Sequence, residues 1–176
     1  EDVAAPAIGE ITAADGKITV PFTMVIGYDG ADSVSVDMKN AAGTVVATEN
    51  YAKDATEGVV TFTPAASGDY TFTITAARKD EADKTGTDKE FKGFELPLAK
   101  PSFQSATSQG SGKVSLVWDE VTEASSYEVS YSENGTDFTQ PVSVTGTEYV
   151  VSGLTVGKEY TFKLTAVRVL PAAVSE

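Results

Sequence analysis

A chain of 176 residues has room for one large domain or two small ones, and this one carries 26 acidic and 13 basic side chains, net -13, with no cysteine and no histidine. Without cysteine there are no disulfides and no thiolate metal sites, and without histidine the usual general base near neutral pH and the imidazole ligand for zinc are missing too. The acidity is spread over both halves: residues 1–98 hold 17 acidic and 8 basic side chains, residues 99–176 hold 9 and 5, so a nucleic acid is repelled along the whole chain and no basic stripe offsets this.

No stretch approaches the roughly 20 apolar residues needed to cross a bilayer as a helix. The sequence opens at Glu1, not methionine, with no basic segment leading into an apolar one, so any signal peptide is expected to have been removed or never to have been part of this stretch, which reads as an excised piece.

Alternation with period two organises the chain. Ile18, Val20 and Phe22 share one face of a first clear strand, opposite Thr19 and Pro21; Val34, Val36 and Met38 alternate with Ser33, Ser35 and Asp37. Val60 and Phe62 flank Thr61, and Tyr70, Phe72, Ile74 and Ala76 alternate with Thr71, Thr73 and Thr75. Such strands are half-buried, one face apolar and the other coated in threonine, whose branched carbon favours β structure while its hydroxyl tolerates water. Turn signals separate them at Asp15-Gly16, Asp29-Gly30, Ala42-Gly43 and Ser67-Gly68-Asp69. A further strand is expected from Phe91 to Leu96, after a charged and mobile loop from Lys79 to Glu90. Helical periodicity is nowhere sustained.

The pattern then restarts. Val114, Leu116 and Trp118 alternate, followed by Tyr127, Val129 and Tyr131, then Val142 and Val144, then Val150 with Ser152 and Leu154 leading to a turn, and last Tyr160, Phe162, Leu164 and Ala166. The segment from Tyr70 to Arg78 matches that from Tyr160 to Arg168 at six of nine positions, at an offset of 90 residues. A repeat of that length is one sandwich per unit. It divides the chain into domains 1–98 and 99–176, joined by Leu96-Pro97-Leu98-Ala99-Lys100-Pro101, a short segment that two prolines are expected to stiffen. The expected fold class is all-β, two β-sandwiches in tandem.

Residues 101–168 resemble the fibronectin type III family. The resemblance rests on Trp118 in the second strand, on the strand Tyr127-Glu128-Val129-Ser130-Tyr131, and on Leu154 six residues before Tyr160. It implies that Trp118 sits in the core, and that the hydroxyl of Tyr160 ties back to the backbone near the turn bearing Leu154. These three are then fold determinants. The first domain is a divergent relative: Phe22 stands where a tryptophan would, Pro64 precedes Tyr70 by six residues, and Ser67-Gly68-Asp69-Tyr70 looks as much like an immunoglobulin corner. The end of the second domain also departs from the pattern, because only eight residues follow Arg168 and Pro171 cannot donate to a ladder. Its final strand is therefore short, cut off or supplied by a neighbour.

No catalytic residues, cofactor or metal site are expected, and the chain does not read as an enzyme. Asp29, Asp32 and Asp37 lie close in sequence, but their spacing is not that of a helical-hand calcium loop, and solvated turn aspartates explain them better. Candidate ligand contacts are Tyr28, Tyr51, Tyr131 and Phe138, rings that long alternation does not force inward and that would have to face a sugar or protein. Asn134-Gly135-Thr136 fits an N-glycosylation acceptor in a eukaryotic secretory setting and, more simply, a turn between Tyr131 and Phe138.

The expected role is a non-catalytic spacer or scaffold in a secreted or cell-surface protein, with an acidic, threonine-rich style suggesting a bacterial source. Its partners are other domains of the parent protein. The alternative is a carbohydrate- or protein-binding module beside a glycan-degrading enzyme or in an adhesin, with polysaccharide or a surface protein as partner. Nucleic acid and membrane insertion are not expected.

Overall fold

The computed structural model describes residues 5–24, 31–51, 57–77 and 82–169, and the chain divides into two compact units, Glu1–Pro97 and Leu98–Glu176. In the first unit the strands are β1 (Ala7–Ile8), β2 (Thr12–Ala14), β3 (Lys17–Thr23), β4 (Ser33–Asn40), β5 (Val45–Tyr51), β6 (Glu57–Phe62), β7 (Gly68–Ala77), β8 (Lys84–Thr85) and β9 (Lys89–Phe94). In the second they are β10 (Phe103–Gly110), β11 (Lys113–Trp118), β12 (Ser126–Ser132), β13 (Val142–Val144), β14 (Glu148–Val151) and β15 (Thr161–Val167). The described residues contain no helix.

All pairing is antiparallel. In the first domain β3 is flanked by β6 on one edge and by β1 and β2, two successive pieces of one strand, on the other. The facing sheet runs β5-β4-β7, with β8 and β9 lying in succession along the far edge of β7. The second domain repeats this plan, with sheets β10-β11-β14 and β13-β12-β15. In both domains the fourth main strand joins the sheet of the third, as β5 joins β4 and β13 joins β12. Constant-type immunoglobulin domains send it to the other sheet instead.

Alternation builds the first core. Ile18, Val20 and Phe22, then Val34, Val36 and Met38, then Phe72, Ile74 and Ala76 are all at most 2% exposed, and they form one cluster with Val60, Phe62, Tyr70 and Phe94. The two-residue loop Asp15-Gly16 closes the β2–β3 hairpin with both residues at positive φ, 52° and 73°, the conformation that matches the twist of the strands. At the edge strand β5, Glu49 stands opposite Val36 in the ladder, on the core-facing side. An inward charge on an edge strand opposes pairing with a second sheet.

Several sequence expectations are corrected. The bend before β7 falls at Ala65 and Ala66, and Ser67-Gly68-Asp69 leads into the strand, which begins at Gly68. The expected strand Phe91 to Leu96 instead spans Lys89–Phe94, and the charged loop before it contains the short strand β8, held by Thr75 and Ala76 of β7. In β14 the buried residue is Val151, while Val150 is 44% exposed; Val142 is also 44% exposed. The phase there was invisible because Glu148-Tyr149-Val150-Val151 puts apolar residues on both faces. The joint around Leu96 to Pro101 contains no strand.

In β15, Phe162, Leu164 and Ala166 are half-buried where their counterparts in β7 are fully buried. β7 has β8 and β9 along its second edge, whereas among the described residues β15 pairs with β12 alone. Val169 lies outside any strand, and the remainder of the expected final strand, residues 170–176, is outside the described residues.

One packing constraint in the first domain is tight enough to test. A Cβ on Gly58 would lie 2.6 Å from Cζ of Phe22 and 2.7 Å from Cζ of Tyr51, and Phe22 is only 1% exposed, so its ring has no room to retreat. Gly58→Ala is expected to destabilise the domain by about 1–3 kcal/mol, as overpacking does, measured by urea denaturation. A variant as stable as the parent would contradict this packing.

Candidate functional site

The residues singled out for the second core converge on one point. Trp118, 2% exposed, packs edge-on against Phe103 from β10, at 6.2 Å and 83°, and against Tyr127 from β12, at 5.5 Å and 62°. Trp118 comes from β11, so three strands of two sheets meet at its ring. Leu154 is buried beside it in the same cluster, and Gly112 lies so close that a Cβ there would run into the Leu154 carbonyl oxygen. The Leu154 N–H donates to the carbonyl of Gly112 at 3.0 Å.

Tyrosine hydroxyls pin loops in both domains. Tyr70 donates to the Ala66 carbonyl at 2.7 Å, and the hydroxyl of Tyr160 accepts from the Thr155 backbone N–H at 3.0 Å. The two ties close different turns with opposite hydrogen-bond polarity. A third tie was not legible as one: Tyr127, 4% exposed, accepts the buried Val121 N–H at 2.7 Å through its hydroxyl. Alternation explained its ring and gave no hint of its oxygen.

A second feature missed in the sequence is the pair Arg168–Glu123, 2.8 Å apart with side chains 15% and 21% exposed. Glu123 sits at φ 64°, an uncommon conformation for a residue with a Cβ. The one available signal was that Arg168 closes the nine-residue repeat, as Arg78 does 90 positions earlier.

The described candidate ligand contacts each have neighbours within their own domain. Tyr51, half-buried, packs edge-on against Phe22 at 5.0 Å and 83° in the first domain. Tyr131, also half-buried, packs edge-on against Tyr160 at 5.9 Å and 76° and tilts against Phe162 at 6.4 Å. Phe138 is half-buried with the Lys163 ammonium 6.0 Å from its ring centre. Tyr28 and Asp29 lie outside the described residues, and Asp37 accepts from the Thr48 hydroxyl at 2.6 Å. A sugar-stacking surface needs exposed ring faces, and each of these three rings is half-buried. In β12, Tyr131 lies on the same face as Tyr127 and Val129, as their alternation in the sequence has it.

The turn after β12 is fully occupied. Asn134 Oδ1 accepts from the Thr136 N–H at 2.9 Å, the Asp137 N–H at 2.8 Å, the Thr136 hydroxyl at 3.0 Å and the Ser132 hydroxyl at 2.8 Å. Its Nδ2 donates to Asp137 Oδ2 at 2.6 Å, and the Gly135 N–H donates to Ser132 Oγ at 3.0 Å. Beyond it, Glu133 pairs with Lys158 at 2.9 Å. That hydrogen bond, with the attraction of the carboxylate, holds the Lys158 ammonium above the ordinary lysine range, so whatever the pair adds is present below that range and is lost as pH rises through it. Being exposed, it adds little.

Concavities of ≈ 110 to ≈ 350 Å³ indent the described surface. The one at the end of the second domain, between the turns at 110–112 and 155–158, has a volume of ≈ 110 Å³, below the roughly 300 Å³ at which ligand pockets begin. An opening of ≈ 320 Å³ is lined by Phe103, Phe138, Phe162 and Leu164 with Lys100 and Lys163. Among the described residues no three histidine, cysteine, aspartate or glutamate side chains are placed to hold a metal ion, and no helix is long and apolar enough to cross a membrane.

With this geometry the chain is a tandem of fibronectin type III or immunoglobulin-like β-sandwich domains. Residues 99–172 match the family model of the fibronectin type III domain. Among solved structures, a two-domain fibronectin type III segment of chicken tenascin is 16% identical, with 96% of this chain and 93% of that one covered and a TM-score of 0.52. The FN1-FN3 domains of chicken contactin (CNTN1) are 15% identical, with 95% and 64% covered and a TM-score of 0.38. No curated protein matches the chain in sequence.

The tyrosine ties differ in what their loss exposes. Tyr127→Phe strands a buried N–H and is expected to cost about 1–3 kcal/mol, whereas the Thr155 N–H freed by Tyr160→Phe can turn to water, for about 0.5–1 kcal/mol. Trp118 fluorescence during denaturation reads both. A Tyr160→Phe loss as large as that of Tyr127→Phe would contradict the assignment.

Proposed function

We propose that this chain is a non-catalytic tandem module that acts as a spacer or scaffold, carrying other domains of an exported or cell-surface parent protein. The observation that carries this reading is the fate of the aromatic side chains: Tyr51, Tyr131 and Phe138 are each half-buried, with Phe22, Tyr160 and the Lys163 ammonium as their respective neighbours. The strong negative charge supports solubility without specifying a ligand. The bacterial source is a reading of composition alone, and the extracellular setting draws on the kind of protein in which such tandems are found.

A binding role for polysaccharide or a surface protein is the second reading, and its best location is the opening lined by Phe103, Phe138 and Phe162 with Lys100 and Lys163. Calorimetric titration of the chain against a panel of soluble wall, plant and host polysaccharides separates the two. The spacer reading expects no saturable heat with any of them. Saturable binding that disappears in Phe138→Ala would replace it with the binding module.

A further inference from the structure

Asn134-Gly135 is the sequence's only asparagine followed by glycine; Asn40 and Asn50 precede alanine and tyrosine. Glycine on that side leaves the asparagine side chain open to intramolecular attack. The Gly135 backbone nitrogen bonds to the side-chain carbonyl carbon, the side-chain carbon–nitrogen bond breaks, and ammonia leaves carrying the proton that Gly135 gave up. The resulting five-membered imide is then opened by water to aspartate or its β-linked isomer.

Two requirements of that reaction are opposed by the folded turn. Deprotonation of Gly135 is disfavoured because its N–H is engaged with Ser132 Oγ. Attack requires the Asn134 side chain to rotate until its carbonyl carbon meets the Gly135 nitrogen, and that rotation breaks the hydrogen bonds that Oδ1 receives from Ser132, Thr136 and Asp137. It also tears Nδ2 from Asp137 Oδ2. Donors on a carbonyl oxygen favour attack by stabilising the developing charge, but here they are also what fixes the carbonyl in place, and geometry decides because no bond forms until the side chain moves.

We infer that Asn134 is a latent deamidation site which the folded second domain holds off, so that its conversion is a one-way chemical record of that domain's unfolding. Conversion also works against refolding. A carboxylate at position 134 cannot donate to Asp137 Oδ2 and would set a second negative charge beside it, so the turn closes with fewer bonds and the domain reopens more readily.

The test uses the full chain, produced where no glycosylation occurs and incubated in mildly alkaline buffer with and without denaturing urea. Amide-to-acid conversion is followed by peptide mass spectrometry, with Asn40 and Asn50 as internal controls. Conversion at Asn134 is expected to be at least roughly tenfold slower in the folded chain, the effect of a barrier raised by one or two hydrogen bonds. Asp137→Ala, at an exposed position, is expected to speed conversion several-fold in the folded state. Ser132→Ala should do so more strongly, and if that variant does not fold, Asp137→Ala still decides. Equal rates in folded and unfolded chains, or no acceleration in folded Asp137→Ala, would overturn the inference.

Discussion

The register between β4 and β7 is the constraint on which the first domain depends. Val34, Val36 and Met38 stand opposite Ala76, Ile74 and Phe72, so two rows of apolar side chains enter the core together. A slip of one residue would exchange one row for Ser33, Ser35 and Asp37, or the other for the threonines of β7, because successive strand residues point to opposite faces. The outer face reinforces the same register: Lys39 donates to Thr73 Oγ1 at 2.7 Å, and that hydroxyl donates to Asp88 at 2.6 Å. Three separate strand or loop segments are thereby aligned by one polar chain, directly behind Ile74. With the core rows fixed, β3 and β6 have a single face to bury and one way to lie.

The second domain reaches the same plan with a different emphasis. Its central ring is Trp118, and its loops are fastened by hydroxyls and by the Arg168–Glu123 pair, with fewer fully buried aliphatic side chains than the first core. Tyr127 shows how one residue serves both purposes: its ring fills the space beside Trp118 while its oxygen satisfies a backbone donor that would otherwise be buried without a partner.

Fold class was legible in the sequence because period-two alternation and the 90-residue repeat are direct consequences of half-buried strands. Alternation also picked out Phe22 and Tyr70, whereas Trp118 and Leu154 were singled out by the family resemblance. What escaped detection has physical causes. β5, Val45-Val46-Ala47-Thr48-Glu49-Asn50-Tyr51, is an edge strand with no apolar face to signal it, and β10 is almost wholly exposed. Alternation says which way a ring points but not what its hydroxyl meets, so the tie from Tyr127 to Val121 and the half-burial of Tyr51 needed the partner strands in place. The turn at Asn134 was legible as a turn; the number of hydrogen bonds on one amide was not.

The account's central claim is that two hydrophobic cores, one of them around Ile74 and the other around Leu116 and Trp118, each hold their own sandwich. Core truncation in each domain tests it most directly, with the single tryptophan reporting on the second. Leu116→Ala should cost about 2–5 kcal/mol and shift the Trp118 fluorescence transition. Ile74→Ala should leave that transition in place and shift one seen only by circular dichroism. A Trp118 transition that moves as far with Ile74→Ala as with Leu116→Ala would contradict the claim.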